Sequence, residues 1–260
     1  MRKLPDIKRL VVKVGTSTLT YENGRLNLGR IQNLARVLSD VKNSGVDLVL
    51  VTSGAIGVGV ETMGLGHRPE SVAEKQAAAA VGQPQLMEIY EDSFGKYNTK
   101  VAQILLTKYL LTDTKMHANA TATFEALLDA DVLPIVNEND TVVTDEILFG
   151  DNDTLSAHIA TLVQADLLLI LTDIDGLYDK NPLENPDATL ISSLPNVTED
   201  VKVLAGGSSS NRGTGGMITK LEAAEIAQKA QVPTLIMNGT EPDLIYQALK
   251  GEELGTIIGA

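Results

Sequence analysis

A lysine interrupts the apolar run Leu10-Val11-Val12-Lys13-Val14, which leads directly into Gly15-Thr16-Ser17. Burying an ammonium group without a partner is expensive. Lys13 therefore either reaches solvent from a strand end or is aimed at an anion cradled by the Gly15 turn, and the run alone leaves both readings open. Thr52-Ser53-Gly54-Ala55-Ile56-Gly57-Val58-Gly59 places glycines at the opening of a helix. There, backbone N–H groups approach an anion closely and the helix N-terminus favours negative charge. Its G-x-x-G-x-G spacing is not the G-x-G-x-x-G of a dinucleotide turn, and tight packing of strand against helix is the plainer alternative for the glycines.

Asn137-Glu138-Asn139-Asp140 and Gly150-Asp151-Asn152-Asp153 are two dense clusters of amides and carboxylates, each following apolar sequence. Together they suit recognition of the ammonium and carboxylate of one small zwitterion. The plainer readings are Asp/Asn turns and Asp153 as the cap of a helix over Thr154–Val163; the spacing of a calcium loop is not met. The run Arg212-Gly213-Thr214-Gly215-Gly216-Met217-Ile218-Thr219-Lys220 opens another predicted helix. Flexible backbone donors, a helix N-terminus and a first-turn lysine make it the best phosphate candidate in the chain. It is not a G-x-x-x-x-G-K-[ST] loop, and a solvated loop is its plainer alternative. His67, His117 and His158 form no spaced ligand set, and none stands beside a G-x-S-x-G elbow, so a hydrolase triad has no support.

These segments need a scaffold that brings them to one edge. Apolar runs predict strands at Leu10–Val14, Asp47–Thr52, Lys100–Leu106, Val132–Val136, Asp166–Thr172 and Val232–Met237. Each is nearly continuous in polarity, as in a parallel sheet covered on both faces. Between them, Leu28, Ile31, Leu34, Ala35, Leu38 and Val41 line one helical stripe that Gly45 stops. Met217–Ala230 shows the same period, with Ile218, Leu221, Ala224 and Ala227 set against Lys220, Glu222 and Glu225. Strand–helix alternation reads as an α/β fold, a three-layer α/β/α sandwich around a mainly parallel open sheet. Ligands of such sheets bind beyond the carboxyl ends of the strands, where this chain concentrates Gly, Ser, Asn and Asp, including Thr172-Asp173-Ile174-Asp175-Gly176-Leu177-Tyr178. There is no internal repeat, and Gly206–Ser210 is the only low-complexity stretch.

Composition excludes several classes. With 43% hydrophobic and 21% charged residues among 260, wholesale disorder is ruled out. A net charge of −13 and only 3% aromatic residues argue against a nucleic-acid binder. Cysteine is absent, removing disulfides, thiolate metal sites and cysteine nucleophiles. Met1–Asp6 lacks a signal-peptide core, and the longest apolar run, Leu167–Leu171, is far too short to cross a bilayer. A soluble, cytoplasmic protein is expected.

Seven blocks, in order, resemble the amino acid kinase family: Val12–Ser17, Val51–Ala55, Lys75–Gln83, Asn137–Asp140, Gly150–Asp153, Thr172–Tyr178 and Gly213–Lys220. N-E-N-D, G-D-N-D and G-T-G-G-M-x-T-K in combination are similar to those members that phosphorylate the γ-carboxylate of L-glutamate. The resemblance implies an ATP- and Mg²⁺-dependent transferase making L-glutamyl 5-phosphate, the first step toward proline, with proline as an inhibitor and a homo-oligomeric (dimer or tetramer) assembly. It implies one domain over 1–260, with a glutamate-binding lobe over about 1–165 and an ATP-binding lobe over about 166–260; in contrast to many members of the family, no extra C-terminal domain is expected after Ala260.

By position, Ser53, Asn137, Asp140 and Asn152 would hold glutamate. Lys13, Thr172, Asp173, Thr214, Gly215, Gly216, Met217, Ile218, Thr219 and Lys220 would hold ATP. Lys13 and Lys220 would flank the transferring phosphoryl group, with Asp153 orienting both, while no protein ligand of the metal is implied. Two positions depart from the family pattern: Asn181 stands where an aspartate usually precedes Pro182, and Thr121 replaces an arginine, near where subunit contacts or proline inhibition are expected. The competing expectations are a relative acting on another carboxylate or a carbamate, and a non-catalytic amino-acid or nucleotide sensor.

Overall fold

A computed structural model of the chain describes residues 2–67, 69–107, 109–142, 152–205 and 216–260. Among them, eight strands form one sheet: β1 (Arg9–Val14), β2 (Asp47–Val51), β3 (Val101–Leu106), β4 (Leu133–Glu138), β5 (Leu167–Thr172), β6 (Ser193–Leu194), β7 (Thr234–Asn238) and β8 (Thr256–Ile258). Their order is β3-β4-β2-β1-β5-β7-β8-β6. Pairing is parallel from β3 through β7, and the sheet turns antiparallel only between β7 and β8. The expected three-layer α/β arrangement is thus present. All six anticipated strands form within two residues of their expected starts, whereas β6 and β8 are too short to leave a periodic signal.

The described helices are α1 (Thr16–Leu19), α2 (Leu28–Asn43), α3 (Ala55–Thr62), α4 (Val72–Gly95), α5 (Tyr109–Thr112), α6 (Thr114–Asp129), α7 (Asn152–Leu162), α8 (Glu199–Ala205), α9 (Met217–Lys229) and α10 (Leu244–Leu249). None of the described helices is long and apolar enough to cross a membrane.

Two hydrophobic cores lie on opposite faces of the sheet, and β1 feeds both. Leu10, Val12 and Val14 pack with Ile31, Leu34 and Leu38 of α2 and with Leu86, Tyr90 and Phe94 of α4. Val11 packs on the other side with Leu155 and Ile159 of α7 and Leu221 and Ala224 of α9. Side chains alternate along a strand, so Lys13 falls on the face of Val11, the one that α7 and α9 cover. This alternation brings a lysine of the first strand toward helices more than a hundred residues away.

Two helical stripes differ from their predicted composition. In α2 the N-cap Asn27 accepts from Arg30 N at 3.0 Å, and Leu28, at the first position of the helix, is 51% exposed instead of buried. In α9 Ile218 is 38% exposed, and Lys220 lies in the buried stripe with Met217, Leu221 and Ala224. A lysine on the buried face needs a partner there.

The glycines after β2 have separate jobs. Gly54 is the N-cap of α3 with φ +108, a left-handed conformation that favours glycine. Gly59 touches α4: a Cβ there would lie 1.8 Å from the carbonyl oxygen of Ala78, and a Cβ on Gly82 would lie 1.9 Å from that of Ala55. The tight contact is therefore helix on helix, α3 against α4, and not strand on helix as the glycine run suggested.

Candidate active site

The register aligns the ends of the five central strands. Lys13 stands beside Val51 of β2 and Ile170 of β5, Val51 beside Val136 of β4, and Thr172 beside Asn238 of β7. The candidate residues therefore emerge at one carboxyl edge. Lys13 sits at the centre, Ser53 and Asn137 on one side, and Thr172 and Asp173 on the other. This is where strand order reverses about β1, the usual ligand crevice of an open α/β sheet.

At the centre, Asp153 is fully buried and Lys13 and Lys220 are 5% and 6% exposed. Lys13 Nζ is 2.5 Å from Asp153 Oδ1, and Lys220 Nζ is 3.0 Å from Oδ2. Thr219 Oγ1 donates to the same Oδ2 at 2.9 Å and also approaches the carbonyl oxygen of Gly216 at 2.8 Å. Asp153 belongs to the first turn of α7, which already begins at Asn152, so its carboxylate bridges two lysines instead of capping a helix that starts at Thr154. A buried ion pair is costly unless both charges are well partnered. Here two ammonium groups share one carboxylate, leaving one formal positive charge on the trio, which suits an incoming anion. Lys220 Nζ also lies 3.4 Å from the carbonyl oxygen of Gly216, the α9 N-cap.

Beside this cluster runs a chain of neutral amides. Asn152 Nδ2 donates to the carbonyl oxygen of Thr52 (2.5 Å) and to Asn137 Oδ1 (2.7 Å), and lies 3.1 Å from Ser53 Oγ. Asn137 Oδ1 also accepts from Glu138 N at 2.9 Å. Asn137 Nδ2 donates to Gln83 Oε1 at 2.8 Å, and Gln83 Nε2 donates to Gln103 Oε1 at 2.8 Å. Thr52 is fixed from below by a 2.7 Å hydrogen bond between its hydroxyl and that of Tyr90, which is fully buried. Asp140, just past β4, is partly buried, and loss of hydration pushes its carboxyl up to about 6. Among the described residues no cation pairs with it. On the opposite side Thr172 Oγ1 donates to Asp173 Oδ1 at 3.2 Å, while Asp175 accepts from Asn238 Nδ2 (2.9 Å) and Tyr178 OH (3.1 Å).

Residues 8–238 match the amino acid kinase family. The chain belongs to the amino acid kinase family. It is 52% identical over 265 aligned residues to the glutamate 5-kinase of Clostridium perfringens, covering 100% of this chain and 98% of that one. The glutamate 5-kinase of Moorella thermoacetica is 50% identical over 98% of this chain and 67% of its own length. Among solved structures, an isopentenyl phosphate kinase from T. acidophilum superposes with a TM-score of 0.67 at 19% identity over 96% of this chain. That likeness extends to the fold.

In this amino acid kinase the structure gathers Lys13, Ser53, Asn137, Asp140, Asn152, Asp153, Thr172, Asp173, Gly216, Thr219 and Lys220 along one edge of the sheet. Met217 is buried beneath the start of α9 and Ile218 faces outward. Thr214 and Gly215, the rest of the expected nucleotide run, lie outside the described residues, as do Gly150 and Asp151. The sequence alone assigns no role to Gln83, although it ends the family-like block Lys75–Gln83, nor to Tyr90 and Asn238. The only signal for Gln83 was a polar residue in an alanine-rich helix, and that becomes informative only when α4 is seen to pass behind β4.

Proposed function

We propose that the chain transfers the γ-phosphoryl group of ATP to the γ-carboxylate of L-glutamate, forming L-glutamyl 5-phosphate at the first step of proline biosynthesis. The observation that carries this reading is the convergence of Lys13 and Lys220, from separate parts of the chain, on the buried carboxylate of Asp153. A carboxylate nucleophile is already ionised at neutral pH and needs no general base. The obstacle is repulsion between that anion and a polyphosphate, together with charge spread over the phosphoryl oxygens in transfer. Positioning and electrostatics therefore supply most of the catalysis.

Lys13 and Lys220 neutralise the transferring group, and Asp153 keeps both ammonium groups fixed without contacting substrate. Asp140 pairs with the α-ammonium of glutamate, while Ser53, Asn137 and Asn152 hold its carboxylates. Thr172, Asp173 and the run from Thr214 through Lys220 hold the nucleotide. The glutamate half of the site is formed by about residues 1–165 and the nucleotide half by about 166–260. Among the described residues no group of three or more His, Asp or Glu could hold a metal ion. Mg²⁺ is read as arriving on the nucleotide phosphates, as in phosphoryl transfer generally, and no step is assigned to a protein-bound ion. The reading extends to a cytoplasmic homo-oligomer inhibited by proline.

ADP release measured with L-glutamate, D-glutamate, L-aspartate and N-acetyl-L-glutamate tests the assignment. L-glutamate is expected to be the best acceptor by a wide margin. N-acetylglutamate lacks the ammonium that Asp140 would bind, so turnover of it equal to that of L-glutamate would refute the reading. Absence of ADP release with every acceptor would favour a sensor.

A further inference from the structure

The directions of the buried amides are forced by two backbone groups. Glu138 N is a donor and can face only an oxygen, so the Asn137 atom 2.9 Å away is Oδ1. The carbonyl oxygen of Thr52 is an acceptor and can face only a nitrogen, so the Asn152 atom turned toward it is Nδ2. Asn137 Oδ1 and Asn152 Nδ2 then meet correctly at 2.7 Å. What remains of Asn137 is its NH₂, and the atom that receives it is Gln83 Oε1 at 2.8 Å. Gln83 is buried on α4, itself locked against α3 by the Gly59–Gly82 contact. Its own NH₂ is taken by Gln103 Oε1 on the edge strand β3.

We propose that Gln83 is a positioning residue for glutamate: it holds the Asn137 amide in one of its two orientations and, through Asn137, fixes Asn152. This rests on the reading of Asn137 and Asn152 as glutamate-binding groups. Without the acceptor at Gln83, the buried Asn137 NH₂ loses its partner. The flipped rotamer offers no escape, since it sets the same NH₂ against Glu138 N and Asn152 Nδ2, two donors facing a donor. Either outcome disorders the acceptor pocket while leaving the lysines on Asp153 untouched, so the consequence is confined to one substrate.

The test compares steady-state constants for the wild-type chain, Gln83→Leu, Gln83→Glu and Gln103→Leu, with melting temperatures measured alongside. Gln83→Leu is expected to raise the KM for glutamate about ten- to a hundredfold, the range for leaving one buried donor unpaired. The KM for ATP and kcat should stay within about threefold. Gln83→Glu keeps an oxygen facing Asn137 in either protonation state, and Gln103 can turn its amide to suit, so most of the glutamate affinity should return. Gln103→Leu lies on the exposed edge and should raise the glutamate KM only about two- to threefold.

A wild-type glutamate KM in Gln83→Leu overturns the proposal, as does an equal rise in both KM values or a Gln83→Glu variant no better than Gln83→Leu. If Gln83→Leu fails to fold, Gln83→Glu and Gln103→Leu decide: a glutamate KM in Gln83→Glu as high as that of an Asn137→Ala variant overturns the role. Wild-type protein without glutamate turnover would remove the functional reading itself. Normal wild-type turnover with an insensitive Gln83 would remove only the role of Gln83.

Discussion

Two buried polar clusters lie side by side at the carboxyl edge of the sheet, one ionic and one neutral. Around Asp153 the partners are two ammonium groups and a hydroxyl, delivered by β1 and α9. Around Asn137 the partners are amides and backbone groups, delivered by α4, β4 and α7. A charge acts over distance and tolerates a shift of a few tenths of an ångström. An amide turned through half a rotation presents the opposite atom and fails altogether. The ionic cluster is therefore suited to stabilising charge that develops on a moving group, and the amide chain to recognising a molecule that stays still. Kinetically, damage to the first should appear in kcat and damage to the second in the KM for glutamate.

The sharpest way to break that division is to remove a lysine. Lys220→Ala or Lys13→Ala should lower kcat by about 10²-fold or more, the scale for losing one preorganised charge-stabilising donor. The glutamate KM should move less than about threefold in either variant. Melting curves must accompany the kinetics, because each substitution removes one partner of a buried carboxylate. A well-folded Lys220→Ala protein with wild-type turnover would end the assignment of the ionic cluster. One whose loss lay wholly in the glutamate KM would erase the distinction between the clusters.

Asp140 tests the recognition side through pH. Its carboxyl is raised by burial to about 6 in the free protein, so it is half protonated near pH 6 and neutral well below it. The α-ammonium of glutamate needs the ionised form. The glutamate KM should consequently be level above about pH 7 and climb about tenfold per unit below pH 6, while the side-chain carboxyl of glutamate itself stays ionised down to about pH 5. Stability carries the opposite sign: a raised carboxyl stabilises the fold most at low pH, and that contribution disappears as pH rises from about 4 through 6. Asp140→Asn should raise the KM about tenfold or more at pH 8 and remove the slope. Affinities measured from pH 5 to 8 check this, and a flat wild-type profile would exclude Asp140 as the ammonium partner.

How much of this was legible in the sequence depends on the range of the contacts involved. Lys13 announced itself as a charge in an apolar strand, and the alternation of β1 sends it to the side of α7 and α9. The parallel core strands were visible because burial on both faces leaves continuous apolar runs. The glycines after β2 were visible but their purpose was not: Gly59 is small because of Ala78, and Gly82 because of Ala55. Those partners lie on a different helix, α4, whose alanine-rich pattern marks no single buried stripe. Gln83 was hidden for the same reason. Asp153 read equally well as a helix cap, since a capping aspartate and a bridging one have the same local sequence; only the arrival of Lys220 from α9 separates them. The antiparallel turn at β8 involves three residues, fewer than any period can reveal.

The finest test within the ionic cluster is Thr219. Its hydroxyl donates to Asp153 Oδ2, the same oxygen that Lys220 engages at 3.0 Å. Thr219→Val keeps the branched shape in the first turn of α9 and removes only the hydroxyl. Asp153 retains both ammonium partners, so the carboxylate stays charged and in place, and what is lost is one hydrogen bond that restrains its rotation. If the lysines act mainly through charge, kcat should fall only about three- to tenfold, less than the full worth of a hydrogen bond to a charged group because both ammonium partners remain, and the glutamate KM should not change. A fall as large as that of Lys220→Ala would mean that the orientation of Asp153, and not merely its charge, sets the rate. The ionic cluster would then depend on direction as strictly as the amide chain does, and the contrast between them would lie in which substrate each one meets.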